Sequence, residues 1–235
     1  MDKQRVLLKI SGETFSSKAA PYDREGPAFI ADEITSIAAS YEIVIVTGGG
    51  NIVRGNALKK DFFKRESIVA DWMGMLAVIM NALALQEFLE KDYGLDTRVM
   101  SALEVNKVCE PYLVRKALSH LRKGRIVILA GGLGAPNFST DTTMVQRASE
   151  LDIKLVLKGT KVDGVYDKDP KRYGDAQLIK ELSYMDYLKM NLGVIDSTAV
   201  TQARNHNIEI KIFNFFEKGN LRRLLTQGDI GSVIH

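Results

Sequence analysis

Ile43-Val44-Ile45-Val46-Thr47-Gly48-Gly49-Gly50-Asn51 is the stretch on which the fold reading turns. Four successive apolar residues with no polar alternation describe a strand covered on both faces, the signature of a parallel sheet. Three glycines at its end cost chain entropy, which is reasonable where the main chain must approach a ligand closely. The pattern recurs on both sides. Residues 6–10 run into Ser11-Gly12, and residues 126–129 run into Gly131-Gly132-Leu133-Gly134. Further strands are expected over 97–101, 153–157, 208–213 and 232–234, with a hairpin at Asp163-Gly164. Helices are expected over 27–39, 71–90, 183–190, 197–206 and 218–226. Two more are expected over 111–122, with Pro111 in the first turn, and over 142–150, capped by Thr140 or Asp141. Strands alternating with helices give an α/β sandwich around a mostly parallel sheet. In such sheets ligands bind beyond the carboxyl ends of the strands.

Composition narrows the function. The 235 residues are 46% hydrophobic and 26% charged, with 32 basic against 29 acidic side chains. That balance argues against nucleic acid or an anionic membrane as the main partner. Cys109 is the only cysteine, so no disulfide forms within the chain, in keeping with a reducing compartment. It reads as a small buried side chain. No signal-peptide pattern opens the sequence, and the longest apolar stretch, residues 72–85, is interrupted by Asn81 and too short to span a bilayer. Met73, Met75 and Met80 in that stretch read as core filling. These features describe a cytoplasmic protein.

Four constellations carry chemistry. Lys9-Ile10-Ser11-Gly12 offers backbone N–H groups and a compact cation to a phosphate; taken alone, its simpler reading is an edge-of-strand lysine and a turn glycine. In Gly48-Gly49-Gly50-Asn51, with Arg54 and Gly55 beyond, a following helix would aim its positive end at an anion, with Arg54 near its first turn. The run from Gly131 to Asp141 sets small residues, hydroxyls and a carboxylate at a strand-to-helix junction, where Asp141 has the simpler reading of a helix cap. In Lys158-Gly-Thr-Lys-Val-Asp-Gly-Val-Tyr166 and Asp167-Lys-Asp169-Pro, Tyr166 suits a flat base and Asp169 a ribose, or the segment is a solvated hairpin. P-loop, G-x-G-x-x-G and protein-kinase motifs are absent from the sequence, and His120, His206 and His235 have no metal spacing.

Taken together, Lys9 to Gly12, the triple glycine with Asn51 and Arg54, and Lys158 to Tyr166 resemble the amino acid kinase superfamily. Ala70-Asp-Trp-Met-Gly-Met-Leu-Ala-Val-Ile-Met-Asn81, Ser139-Thr140-Asp141 and Val194-Ile-Asp196 are similar to the bacterial-type UMP kinases within it. The resemblance runs from about residue 5 to residue 234. It implies a three-layer α/β/α sandwich with an eight-stranded, mostly parallel sheet, in one domain over 1–235. The N-terminal part would serve UMP and oligomerisation, and residues from about 153 would serve ATP. It implies phosphoryl transfer from ATP to UMP in a homohexamer, a trimer of dimers, with Mg²⁺ carried by the nucleotide phosphates. UMP is expected near Gly49, Asp71, Leu133, Gly134, Ala135, Pro136, Asn137, Phe138, Ser139 and Thr140. ATP is expected near Lys9, Ser11, Gly12, Gly50, Arg54, Thr160, Tyr166 and Asp169. Lys9, Arg54 and Asp141 are the expected catalytic set, with Lys9 stabilising the transferred group and Asp141 orienting it.

Two stretches depart from the family. Leu133, Ala135 and Asn137 are unusual in the uridylate loop, and Ala135 removes a polar side chain from base recognition. The segment after Glu13 has no glycine before Gly26, where many bacterial members are glycine-rich and respond to GTP; weak or absent GTP activation is expected. The competing expectations are a superfamily enzyme acting on acetylglutamate or carbamate, and a non-catalytic nucleotide-binding storage or regulatory protein on the same scaffold.

Overall fold

The computed structural model describes residues 3–235; Met1 and Asp2 lie outside the described residues, so the domain expected over 1–235 is followed from Lys3. The strands are β1 (Gln4–Ile10), β2 (Tyr41–Thr47), β3 (Thr97–Ser101), β4 (Glu110–Pro111), β5 (Ile126–Ala130), β6 (Leu155–Thr160), β7 (Val165–Tyr166), β8 (Leu178–Ile179), β9 (Glu181–Leu182), β10 (Glu209–Asn214) and β11 (Ser232–Ile234). Nine of them form one sheet in the order β4-β3-β5-β2-β1-β6-β10-β11-β9, and β7 and β8 form a separate antiparallel ribbon. Within the large sheet only the β10–β11 pairing is antiparallel. The sheet therefore has nine strands, not eight. The edge strands β4 and β9 are two residues each, too short to carry a readable period.

The helices are α1 (Glu25–Ala38), α2 (Gly55–Ala57), α3 (Ile68–Glu87), α4 (Val114–Arg122), α5 (Thr140–Glu150), α6 (Tyr184–Met190), α7 (Ser197–His206) and α8 (Asn220–Thr226). Successive strand residues point to opposite faces, and β1 divides accordingly. Val6, Leu8 and Ile10 pack with α1, α3 and α8, whereas Leu7 packs with α4, α5 and α7. Each fully buried Leu or Ile side chain contributes about 1.5–3 kcal/mol, and both faces are lined with them. The three expected layers follow from this double coverage.

Four local expectations are corrected. Pro111 pairs with β3 in β4, and the helix beyond it begins at Val114. Neither Thr140 nor Asp141 caps α5; Ser139 does, accepting from the Thr142 N–H at 3.0 Å. Asp163-Gly164 is not a hairpin turn, because β7 pairs with β8 across a longer loop. Of the three methionines only Met75 is core; Met80 is half exposed. The helix from Ile68 to Asp92, α3 with its terminal turn, is also longer than the apolar stretch implied. By length and composition alone it would cross a membrane. Here its Val78, Ile79, Ala82 and Leu85 face packs on the sheet.

β1 is central, with β2 on one side and β6 on the other. The chain diverges at its carboxyl end, the kind of switch point where open α/β sheets bind ligands. Gly12 is required there by close approach: a Cβ would stand 2.6 Å from the Gly48 carbonyl oxygen and 2.7 Å from the Gly50 nitrogen.

Candidate active site

A cavity of about 750 Å³ opens at these strand tips. β1 delivers Lys9, Ser11 and Gly12, and the β2 tip delivers Gly48, Gly49 and Gly50. α3 contributes Asp71 across the opening, and the start of α5 contributes Ser139 and Thr140. The glycine loop is held from below by Asn81 on α3, which is fully buried. Its amide donates to the Gly48 carbonyl at 2.7 Å and exchanges two hydrogen bonds with the Asn51 amide. A buried amide in an apolar helix face is costly unless paired; this one is paired, and it fixes the loop. Gly49 lies against the same helix, where a Cβ would meet the Ala77 Cβ at 2.9 Å.

Behind Lys9 on the cavity wall stand one carboxylate and a second lysine. Asp141, in the first turn of α5, reaches Lys9 at 3.4 Å and Lys158 on β6 at bonding distance. Lys158 is 5% exposed and also donates to the Val194 carbonyl at 2.5 Å. Burial works against the Asp141 charge, but the attraction of Lys158 and Lys9 outweighs it and holds the carboxyl below its ordinary range. Burial lowers the Lys158 proton affinity to about 8, an effect Lys9 reinforces and Asp141 opposes. Asp196 caps α7 through the Ala199 N–H at 2.8 Å and accepts from the hydroxyls of Ser139 and Thr142. It thereby ties the start of α5 to the same corner.

Three further ion pairs, on two carboxylates, rim the opening. Lys59 meets Asp71 at 3.1 Å, and the hydrogen bond to Asp71 raises the lysine's proton affinity. Asp71 also accepts from the backbone N–H of Asn137 at 3.0 Å; that residue adopts a positive φ of 68°. Glu13 is shared by Arg54 and Lys161, and the Lys161 hydrogen bond leads in holding its carboxyl low. Arg54 precedes a short helical segment, α2 and the π-helical turn Leu58–Phe62 that continues it, and its side chain makes no cap hydrogen bond there.

The structure gathers Lys9, Ser11, Gly12, Gly49, Gly50, Arg54 and Asp71 on one cavity, with Ala135, Phe138, Ser139 and Thr140 opposite. Leu133, Gly134, Pro136 and Asn137 belong to the same loop but do not line it. Tyr166 and Asp169 line a second hollow of about 580 Å³. Thr160, at the end of β6, lines neither and spends its hydroxyl on the carbonyls of Val162 and Phe213. Sequence reasoning missed Asn81, Lys59, Lys158 and Asp196 as site residues. Asn81, Lys158 and Asp196 stand inside the motifs that carry the resemblance but received no site role there, and Lys59, in Leu58-Lys59-Lys60-Asp61, gave no local signal. Cys109 is only partly buried.

The model of the amino acid kinase family matches residues 4–214. The chain belongs to the amino acid kinase family. Among its relatives, a uridylate kinase of Campylobacter jejuni subsp. doylei is 45% identical over 231 residues, 97% of this chain and 95% of that one. Among solved structures, a UMP kinase from Bacillus anthracis superposes with a TM-score of 0.94 at 36% identity, covering 99% of this chain and 96% of the other. A UMP kinase from Ureaplasma parvum gives 0.92 at 33% identity, covering 100% and 99%.

Proposed function

We infer that this chain is a UMP kinase that moves the γ-phosphoryl group of ATP onto the phosphate of UMP, giving UDP and ADP. The observation that carries the reading is the convergence of Lys9, the Gly48–Gly50 loop, Asp71 and the first turn of α5 on one cavity. Two nucleotides fit such a site phosphate to phosphate. UMP lies toward Asp71 and the 133–140 loop, with Asp71 accepting from its ribose and exposed Phe138 beside the base. The ATP phosphates lie toward Lys9, Ser11, Gly12, Gly50 and Arg54. Adenosine reaches the second hollow, where Tyr166 and Asp169 stand, past the β6 end that carries Thr160. On this reading residues before about 153 serve mainly UMP and those after it mainly ATP.

The acceptor is a phosphate oxygen already ionised at neutral pH, so no general base is required. Two anions must meet, and catalysis consists of positioning and charge neutralisation. Lys9 stabilises the transferring group, Arg54 leaves Glu13 for the phosphates, and Asp141 orients Lys9. The carboxylates nearest the phosphates are committed: Asp71, on the cavity, to Lys59, and Asp141, behind its wall, to two lysines. Mg²⁺ is therefore carried by the nucleotide phosphates, where it supplies charge neutralisation, rather than by a carboxylate cage.

The enzyme is a cytoplasmic homohexamer on this proposal. Val69, Leu76 and Met80 form an exposed apolar row on α3, the latter two 50% exposed, and such rows mark contact surfaces. A coupled assay of ADP release tests the function, with UMP, CMP, dUMP, N-acetylglutamate and carbamate as acceptors. UMP-dependent release, insensitive to GTP, is expected. Release with N-acetylglutamate or carbamate but not UMP overturns the assignment, and ATP binding without release favours a non-catalytic protein.

A further inference from the structure

Lys158 is buried, charged and untouched by the cavity, and the mechanism above gives it no task. Its placement is specific. Lys9 on β1 and Lys158 on β6 are register partners in adjacent parallel strands, so both side chains leave the same face of the sheet. Two like charges side by side are unfavourable, and Asp141 is inserted between them. One of its oxygens meets Lys9 at 3.4 Å and the other meets Lys158. The Lys9-facing oxygen is buried and has no hydrogen-bond partner. Lys158 is held from its far side by the Val194 carbonyl. A lysine needed only for packing would be replaced at little cost by an apolar chain.

We propose that Lys158 is a positioning residue: through Asp141 it sets where the Lys9 ammonium stands, and its positive charge leaves Lys9 available to the transferring phosphoryl group. The proposal rests on the UMP kinase reading. When Lys158 is charged, one carboxylate is shared by two ammonium groups, and the trio faces the nucleotides with net positive charge. When Lys158 loses its proton, the whole Asp141 charge falls on Lys9, and the trio becomes neutral as Lys9 is drawn back. The other charged group acting on Lys158 is Asp196 at the start of α7; Tyr187 of α6, whose hydroxyl donates to the Leu192 and Ile195 carbonyls, lies in the field of Asp141 and Asp196. The lowered proton affinity of Lys158, to about 8, puts the change within an assayable range.

The test is the pH dependence of kcat/KM for ATP at saturating UMP, from about pH 6.5 to about 10, which reports groups of the enzyme before ATP binds. The nucleotide phosphates have their last ionisation at about 6, so an alkaline limb belongs to the enzyme. The wild-type chain is expected to lose activity with a midpoint near 8. K158M is expected to lower kcat roughly tenfold to a hundredfold at neutral pH, the size of a small misplacement, with KM changed by less than about threefold, and to abolish the limb. K158R is expected to restore kcat and carry activity through the alkaline range. A folded K158M with wild-type kcat overturns the proposal, as does a K158R limb unchanged from wild type. A flat wild-type profile overturns it without any variant, whether or not the variants fold. A wild-type chain with no UMP-dependent ADP release sinks both readings, and is told apart from these outcomes by the wild-type assay alone.

Discussion

Replacing Lys9 with alanine separates the chemistry of the site from its stability. The substitution removes the one lysine of the trio that lines the cavity. A charge aimed at a transferring phosphoryl group acts like an oxyanion-hole donor, whose loss costs about 2.7–4 kcal/mol, or roughly a hundredfold to a thousandfold in kcat. The stability cost is smaller, because Asp141 is not orphaned: Lys158 remains on it. Breaking a buried pair outright costs about 3–5 kcal/mol, and the retained partner keeps this variant well below that. Lys9 also lies on a cavity wall, where water can solvate what is left. The expected result is a melting temperature lowered by only a few degrees, since each kcal/mol shifts a chain of this size by about 2–4 °C. The measurements are kcat by coupled ADP release and thermal unfolding followed by circular dichroism. A folded Lys9→Ala protein turning over at the wild-type rate would refute the assignment of Lys9. Loss of activity together with loss of the fold would refute the claim that Lys158 alone satisfies Asp141.

Gly12→Ala places a Cβ 2.6 Å from the Gly48 carbonyl and 2.7 Å from the Gly50 nitrogen, both backbone atoms. The overpacking is expected to cost about 1–3 kcal/mol and to lower the melting temperature by about 2–12 °C; an unchanged melt would show the two loops free to separate. Asp71→Asn keeps the shape and removes the charge, so the KM for UMP should rise roughly tenfold, the worth of a charge-assisted hydrogen bond. An unchanged UMP dependence would remove Asp71 from the substrate site. For acid stability, Asp141, Glu110 and Glu150 are each pushed up by burial but held below their ordinary values of 3.8, 4.5 and 4.5 by neighbouring cations and donors. A carboxyl depressed in the folded state contributes stability that is present above its ordinary value and lost as pH falls through the folded one. Thermal melts should therefore hold steady down to about pH 4.5 and fall below it; a decline between neutral pH and about 5 would contradict this.

The parts of the molecule legible in the sequence are those decided locally. Ile43 to Val46 is apolar at every position because both sheet faces are covered, and the glycines after it mark a close approach that exists. The parts that were not legible are decided by what lies opposite. Lys158 ends an apolar run and reads as a strand-end polar residue; only its register with Lys9 reveals a shared carboxylate. Asn81 reads as an interruption of an apolar helix because its partners, Gly48 and Asn51, are some thirty residues away. Ser139, Thr140 and Asp141 are all competent caps, and the choice of Ser139 frees Asp141 to face the lysines. Asp163-Gly164 has hairpin chemistry, but β7 takes its partner from β8, beyond the reach of a two-residue turn.

The polar groups that local reasoning missed share one property: each acts on a residue at or directly behind the cavity wall. Asn81 acts on Gly48, Asp196 on Ser139, Lys59 on Asp71, and Lys158 on Asp141. Burying such groups costs stability unless every one is paired, and the pairings here converge on the tips of β1 and β2 and the first turns of α3 and α5. Positioning by charge requires this arrangement. A phosphate site made of flexible surface lysines would attract nucleotides and leave the distance between them unset. With two anions to be brought together, the useful cation is one held in place by a second whose charge it does not have to neutralise.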